Sequence, residues 1–559
     1  MSRLATGWSR LARHGLFAVA LTAGLALRAA VMAGYPPAIW FGGDSASYLS
    51  TALRLAPATS RMSGYGVMLL ILRPFHSFAL VTAIQQLMGL AIAVMVYAVA
   101  RRYRVPGWLA TLAALPVLLD AYELQLEHEI LPSVPFGLLV MAAITLLLWW
   151  RRDRPAWATV TAGLLLAISA TFWPVGLPLL IVYLLYLIVR RAGWRRIGAT
   201  ALAGAVTLGA YALWFDLAYQ SFAFTYSDGI YLWSRTMSFA NCQVIKPPAS
   251  EQVLCPHRPL AGRPSAGTFI WMPRSPLDRL ASPKFSPASN ALAQDFALRA
   301  IEAQPGGYAA TVVRDVGMSF TWHRPVYPSL DIIQRYEFRY ATRHWVSPSL
   351  SLAHGHTVAS DQLAYGGTTT TRAVAPVAGW LVSYQRQVFL RGTVLAAILV
   401  IGLGGVARSV VSSRLRRLDG LGGAGLFPLA AAVVLLVVPV MTADFDLRYV
   451  LISVPVACTA AALAFARRPG QAAAGSEPGD AAGAQPAAAQ PAGTQAAGAV
   501  PGVPAPAGAE SQPAAPGAPA AAASGTTGPA GPAGPVPPLP RRHKDPATRA
   551  APGDRQAGR

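Results

Sequence analysis

Three short stretches carry side chains able to do chemistry. WFGGDSASYL, which begins at Trp40, holds the first acidic residue of the chain, Asp44, with two glycines before it and serines after it. LEHEI sets Glu127, His128 and Glu129 side by side, and DFDLRYVL places Asp444 and Asp446 beside Arg448 and Tyr449. A carboxylate at the start of a helix can cap it by accepting first-turn amides, and it can also take a proton from a weak nucleophile. Carboxylate and imidazole both ligate divalent ions, so LEHEI admits a metal although its spacing does not demand one; a solvated turn is the plainer alternative. Arg448 can pair with a neighbouring aspartate, or its fork can hold a phosphate.

What must position these stretches is a membrane. Hydrophobic residues make up 54% of the 559 and charged residues only 13%, about half the charged fraction of an ordinary soluble chain; mean hydropathy is +0.41. The apolar residues gather into runs near the length that crosses about 30 Å of hydrocarbon. Run length predicts about ten spans, at 15–33, 79–98, 106–119, 132–150, 156–173, 177–189, 197–217, 388–407, 425–441 and 449–466. The fold class expected is therefore an all-α integral membrane protein.

The net charge of +22 does not signal a nucleic-acid partner, because the arginines stand in short clusters between apolar runs. Arg3, Arg10 and Arg13 precede the first run; Arg101, Arg102 and Arg104 follow the second; Arg151, Arg152 and Arg154 follow the fourth. Arg190, Arg191, Arg195 and Arg196 follow the sixth, Arg408, Arg414, Arg416 and Arg417 the eighth, and Arg467 and Arg468 the tenth. With ten spans all these clusters share one side, which the positive-inside bias makes cytoplasmic. The expected location is a plasma membrane, multi-pass, with both termini inside. The first run has a basic start like a signal peptide, but Arg28 interrupts it and further spans follow, so it reads as an uncleaved anchor. Reporter fusions after Arg104 and after Arg154 should both report cytoplasm, and an external signal at either overturns this topology.

Four segments follow: a membrane module over 1–217, an extracytoplasmic domain over 218–387, closing spans over 388–468, and a tail over 469–559. The second is too long for a simple connection. Within it, Leu292, Phe296, Ala300 and Ala303 predict a helix over 289–303, ended by Pro305-Gly306-Gly307, with another helix over 308–320. Cys242 and Cys255 lie in this segment, where an oxidising compartment would join them; the third cysteine, Cys458, lies in the last span. The tail, rich in Ala, Pro and Gly, is expected to be disordered and cytoplasmic. After Asp44, the residues Tyr48, Leu49, Ala52, Leu53 and Ala56 form one stripe and predict a helix lying in the membrane interface.

The order of motifs resembles the GT-C superfamily of polytopic glycosyltransferases, in particular its protein mannosyltransferase and aminoarabinose transferase branch. An N-terminal anchor leads to DSxxY (Asp44 to Tyr48) and SGYG (Ser63 to Gly66), then to Gln85-Gln86 in the second span. LEHEI, a large outer segment and RYVL (Arg448 to Leu451) complete the order. The resemblance implies a sugar carried on a polyprenyl phosphate and transferred outside the cytoplasm, with inversion, to a glycan, lipid or protein acceptor. It places Asp44 at the catalytic centre as base. Arg448, Arg61 and Tyr449 would face the donor phosphate, while Glu127, His128 and Glu129 would form a second acidic or acceptor site. No cofactor is assigned with certainty, and a divalent metal at LEHEI stays open. Partners are then a polyprenyl-phosphate-linked sugar and membrane lipid, with no nucleic acid. Two other classes compete: a transporter or lipid-linked glycan flippase, which would show repeated halves and mid-membrane polar groups, and a non-catalytic scaffold, which leaves the acidic constellation unexplained.

Overall fold

The computed structural model describes residues 2–150, 154–341, 356–366, 370–416 and 423–466. Arg151, Arg152, Arg417, Arg467, Arg468 and the 469–559 tail lie outside them. Among the described residues the chain is helical, with no strand; an isolated bridge joins Ile39 to Glu129.

Each of the ten apolar runs is a helix. Four of these helices are long and apolar enough to cross a membrane: His14–Gly34, Phe78–Arg102, Trp194–Tyr219 and Gly392–Ser409. A fifth candidate is broken: Gly107–Leu119 turns by 56° into Ala121–Glu127. Asp120 makes the break. Its extended backbone stops the first helix, while its carboxylate caps the second by accepting the amides of Tyr122 at 2.8 Å and Glu123 at 3.4 Å. The other Asp120 oxygen accepts the Leu390 amide at 2.7 Å, pinning the break to the entry of the Gly392–Arg416 helix. The remaining runs form shorter apolar helices: Ser133–Trp149, Ala156–Phe172, Gly176–Val189, Leu426–Thr442 and Leu447–Leu463. The last of these carries Arg448 and packs against Gly107–Leu119, Gly392–Arg416 and Leu426–Thr442.

Beyond the apolar helices, the Gly42–Arg54 helix carries Asp44 and lies across Gly64–Leu72. The predicted stripe turns inward: Tyr48, Leu49 and Ala52 are buried in a cluster with Tyr65, Leu69 and Tyr365. Two glycines bring the Gly64–Leu72 helix close to its neighbours, Gly66 to Gly42–Arg54 and Gly64 to Ala156–Phe172. A Cβ at Gly66 would lie 2.6 Å from the Thr51 side chain, and one at Gly64 would lie 2.5 Å from the Thr171 hydroxyl oxygen.

The 218–387 stretch contributes to several packing units. Asp228–Thr236 and Pro287–Ala303 pack on each other and build a separate apolar cluster around Trp233, Phe269 and Phe296. Phe296 and Ala300 face inward as their spacing predicts, whereas Ala303 is exposed. Pro305 does not simply end a helix; it is the first residue of the next one, Pro305–Met318, because its fixed φ suits that position and its missing N–H costs nothing there. Further along, Val377–Gln387 packs on the first helix through Ala378, Leu381 and Leu27.

Cys242 and Cys255 are joined by a disulfide, and Cys458 is free and buried. Closing a loop of this size typically stabilises a fold by about 2–4 kcal/mol. Thiol labelling of unreduced, denatured protein should therefore mark Cys458 alone; labelling of all three cysteines would refute the bond.

Candidate active site

The stretches that carry the resemblance are bonded to one another. Tyr65 of SGYG donates its hydroxyl to Gln85 Oε1 at 2.6 Å. Gln85 Nε2 in turn donates to the carbonyls of Glu127 at 3.0 Å and Glu129 at 2.7 Å. Ile39 exchanges backbone hydrogen bonds with His128 and Ile130, and Ser45 donates to the Ile130 carbonyl at 3.0 Å. LEHEI is thus a buried backbone strap that fixes where the Asp44 helix begins.

Asp44 does not cap its helix. It sits in the first turn, where the helix dipole favours an anion, and its carboxylate accepts from two guanidiniums instead of from amides. Arg61 Nη1 stands 2.5 Å from Oδ1 and Arg448 Nη1 2.9 Å from Oδ2. Burial alone would raise the Asp44 carboxyl, but the two guanidiniums outweigh it and hold the group well below the ordinary carboxylate range. Arg448 is shared: its Nε also faces Asp446 Oδ2 at 3.1 Å, and Tyr336 donates its hydroxyl to the other Asp446 oxygen. Aromatic rings enclose this guanidinium, with Phe41 at 5.2 Å, Trp173 at 5.5 Å and Tyr449 at 5.7 Å. Such a desolvated guanidinium beside paired acids holds its orientation without surrendering its charge.

Asp44, Arg61, Arg448 and Tyr449 all line one cavity of about 460 Å³. Its walls are apolar where the helices of the bundle end, at Phe172, Trp173, Val175, Pro178, Val438 and Pro439. They become polar toward the 218–387 stretch, at Ser227, Asp228, Tyr231 and Gln294. One wall suits a chain and the other a hydroxylated group.

Asp444 goes elsewhere. It accepts from the Tyr327 hydroxyl and, at 2.8 Å, from the Gly267 amide, so it does not pair with Arg448. Burial pushes its carboxyl up to about 6 against those two donors. The LEHEI side chains also point away from the cavity. Glu127 pairs with Arg28, His128 Nε2 lies 2.9 Å from the Tyr35 carbonyl, and Glu129 accepts from Gln125 at 2.7 Å. Among the described residues no three His, Cys, Asp or Glu side chains gather as a metal ion needs, and these three have separate partners.

Trp173, Tyr231, Gln294 and the second carboxylate Asp228 were not singled out in the sequence. Trp173 carried a faint signal, an aromatic followed by Pro174 at the end of an apolar run. Asp228 carried none, because only the packing of Asp228–Thr236 on Pro287–Ala303 brings it to the cavity. Burial raises the Asp228 carboxyl, with the Thr225 hydroxyl acting against it. The cavity therefore holds two carboxylates with opposite shifts, Asp44 held low and Asp228 held high.

No protein family model and no curated protein matches the chain. Among solved structures it is similar to the oligosaccharyltransferase of Archaeoglobus fulgidus in its apo form, at 14% identity and a TM-score of 0.37, over 82% of this chain and 50% of that one. The archaeal oligosaccharyltransferase AglB from Archaeoglobus fulgidus, in complex with an inhibitory peptide and a dolichol-phosphate, matches at 12% identity and 0.38 over the same shares. ArnT from Cupriavidus metallidurans bound to undecaprenyl phosphate matches at 12% identity and 0.32, over 82% of this chain and 77% of that one. The chain thus spans half the length of the archaeal oligosaccharyltransferase.

Proposed function

We propose that this chain is a multi-pass membrane glycosyltransferase of the plasma membrane. It moves a sugar from a polyprenyl phosphate to an acceptor hydroxyl outside the cytoplasm, in one inverting displacement. The observation that carries this reading is the Arg61–Asp44–Arg448 cluster on the wall of a cavity that is apolar at its bundle end and polar opposite. The two arginines supply the positive charge that a leaving phosphate requires, on the wall of a largely enclosed cavity.

As found, Asp44 is a weak base, because two guanidiniums occupy its two oxygens. A donor phosphate competes for the same guanidiniums. Its arrival loosens their hold on Asp44 and raises the basicity of the carboxylate, and general-base efficiency rises with basicity. Asp44 then takes the acceptor proton, the acceptor oxygen bonds to the anomeric carbon, and the bond from that carbon to the phosphate oxygen breaks. Polyprenyl phosphate leaves against Arg448 and Arg61. A second reading exchanges the carboxylates: among the described residues Asp228 pairs with no arginine, and its raised carboxyl is the stronger proton acceptor in the resting cavity.

Membranes carrying the protein, supplied with a polyprenyl-phosphate sugar, should release polyprenyl phosphate. Movement of intact donor between leaflets without cleavage would instead establish the flippase reading. Arg448→Lys keeps a charge but loses the fork, so affinity for polyprenyl phosphate should fall about tenfold while the protein stays folded. Unchanged affinity would confine Arg448 to its pairing with Asp44 and Asp446.

A further inference from the structure

We propose that the Pro305–Met318 helix lies in the surface layer of the bilayer, its open face against lipid, at the end of the bundle that holds Asp44. The helix is strung between the mouths of two apolar helices. Near its start, Tyr308 donates its hydroxyl to the Met441 carbonyl at 3.0 Å, at the end of Leu426–Thr442. Just past its other end, the Thr321 carbonyl accepts the Gly392 amide at 3.0 Å, where Gly392–Arg416 begins. Both mouths belong to the Asp44 end: Thr442 lines the Asp44 cavity, and Phe389, just before Gly392, packs on the cluster that holds Phe41 and Tyr48. The 14 residues of this helix extend about 21 Å. Anchored at two mouths, they run across the end of the bundle.

The polarity of this helix is the reverse of a water-facing one. Thr311 and Asp315 are buried, with Asp315 held by Arg235 at 2.5 Å and Arg314 at 2.7 Å, and Val312, Val316 and Met318 pack on the bundle core. The open face carries Gly306, Ala309, Ala310, Val313 and Gly317, with Val313 72% exposed, and Arg314 is its one charge. The helix before it gives the contrast, because Pro287–Ala303 turns Asp295, Arg299 and Glu302 outward. A helix facing water carries charge on its open face, whereas one facing acyl chains keeps that face apolar. Trp322 follows, 53% exposed and 5.4 Å from the Arg391 guanidinium, a residue type that gathers at the membrane boundary. Val394 and Ile401, exposed on Gly392–Arg416, continue the apolar surface down the bundle. That continuity names the occupant as the bilayer around the spans. The stripe expected to lie in the interface, on Gly42–Arg54, is buried instead. Because Asp315 holds Arg235 of the Asp228–Thr236 helix, lipid contact here also sets the polar wall of the cavity at a fixed height over the membrane.

The test places spin labels on full-length protein reconstituted in phosphatidylcholine liposomes. Val313→Cys and Ala310→Cys carry the label on the open face, and Glu302→Cys carries it on the exposed side of the preceding helix as the reference. Cys458 is buried and stays unlabelled in folded protein, and the Cys242–Cys255 bond is left intact. Collisions with dissolved oxygen report lipid, and collisions with a water-soluble nickel chelate report water. An apolar layer excludes the polar chelate, so its collisions at 313 and 310 should be about tenfold rarer than at 302, with oxygen collisions undiminished. Chelate collisions at either position equal to those at 302 overturn the proposal, by putting the face in water. Few collisions with both probes overturn it as well, by covering the face with protein. Neither readout depends on sugar transfer, so the result stands apart from the transferase reading.

Discussion

Asp44→Asn should lower sugar transfer by about a hundredfold or more, the usual loss when a positioned general base is removed. The substitution is nearly isosteric and keeps an acceptor oxygen for one guanidinium, so helix and cavity stay in place. It removes the charge that Arg61 and Arg448 share, at 2.5 and 2.9 Å. The arginines are then freed for phosphate, and donor binding should hold or tighten while turnover collapses. That split separates a lost base from a lost fold, which would weaken both. Release of polyprenyl phosphate in membranes carrying each form measures turnover, and a binding titration with polyprenyl phosphate measures affinity. Asp228→Asn in the same assay distinguishes the two carboxylates. Near-normal turnover by Asp44→Asn together with collapse in Asp228→Asn would move the base to Asp228 and leave Asp44 to hold the arginines.

The largest effect on stability should come from Arg28. Its guanidinium donates to the carbonyls of Gly24 at 3.1 Å, Val117 at 3.1 Å and Leu118 at 3.2 Å, and it pairs with Glu127; both side chains are almost fully enclosed. Arg28→Met leaves the Glu127 carboxylate buried without its cation and frees three carbonyls, which should cost about 3–5 kcal/mol. Glu127→Gln keeps the side-chain volume where a Cβ on Gly89 would collide with it, and Arg28 keeps its carbonyl partners. Its cost should be smaller, about 1–3 kcal/mol. Thermal unfolding of detergent-purified protein compares the two. If Arg28→Met unfolds like wild type, the pair is not structural.

These outcomes separate residues that looked alike in the sequence. Glu127 and Asp44 are both acids next to an apolar run, and composition cannot rank them. Arg28 read only as an interruption of the first run; its partner stands 99 residues away, beyond the reach of any local pattern. Arg448 was legible as a choice between an aspartate and a phosphate. The structure takes Asp446 for one edge of the guanidinium and brings Asp44, 404 residues distant, to the other.

The sequence by itself determined the apolar helices, because apolar run length and polar breaks act locally: each of the ten runs is one helix, although the first extends back to Ser2 and the eighth on to Arg416. It determined the cysteine pair for a similar reason, two cysteines a short separation apart in one loop-rich segment. The inward face of the Gly42–Arg54 helix, the turning of LEHEI into a buried strap, and the meeting of Asp44, Arg61, Asp228 and Arg448 were decided only in three dimensions. Each depends on groups from distant helices competing for the same carboxylate or the same space, as Gly66 does in letting the Gly42–Arg54 and Gly64–Leu72 helices touch. A buried charge takes the partner that packing delivers, and packing is a property of the whole chain.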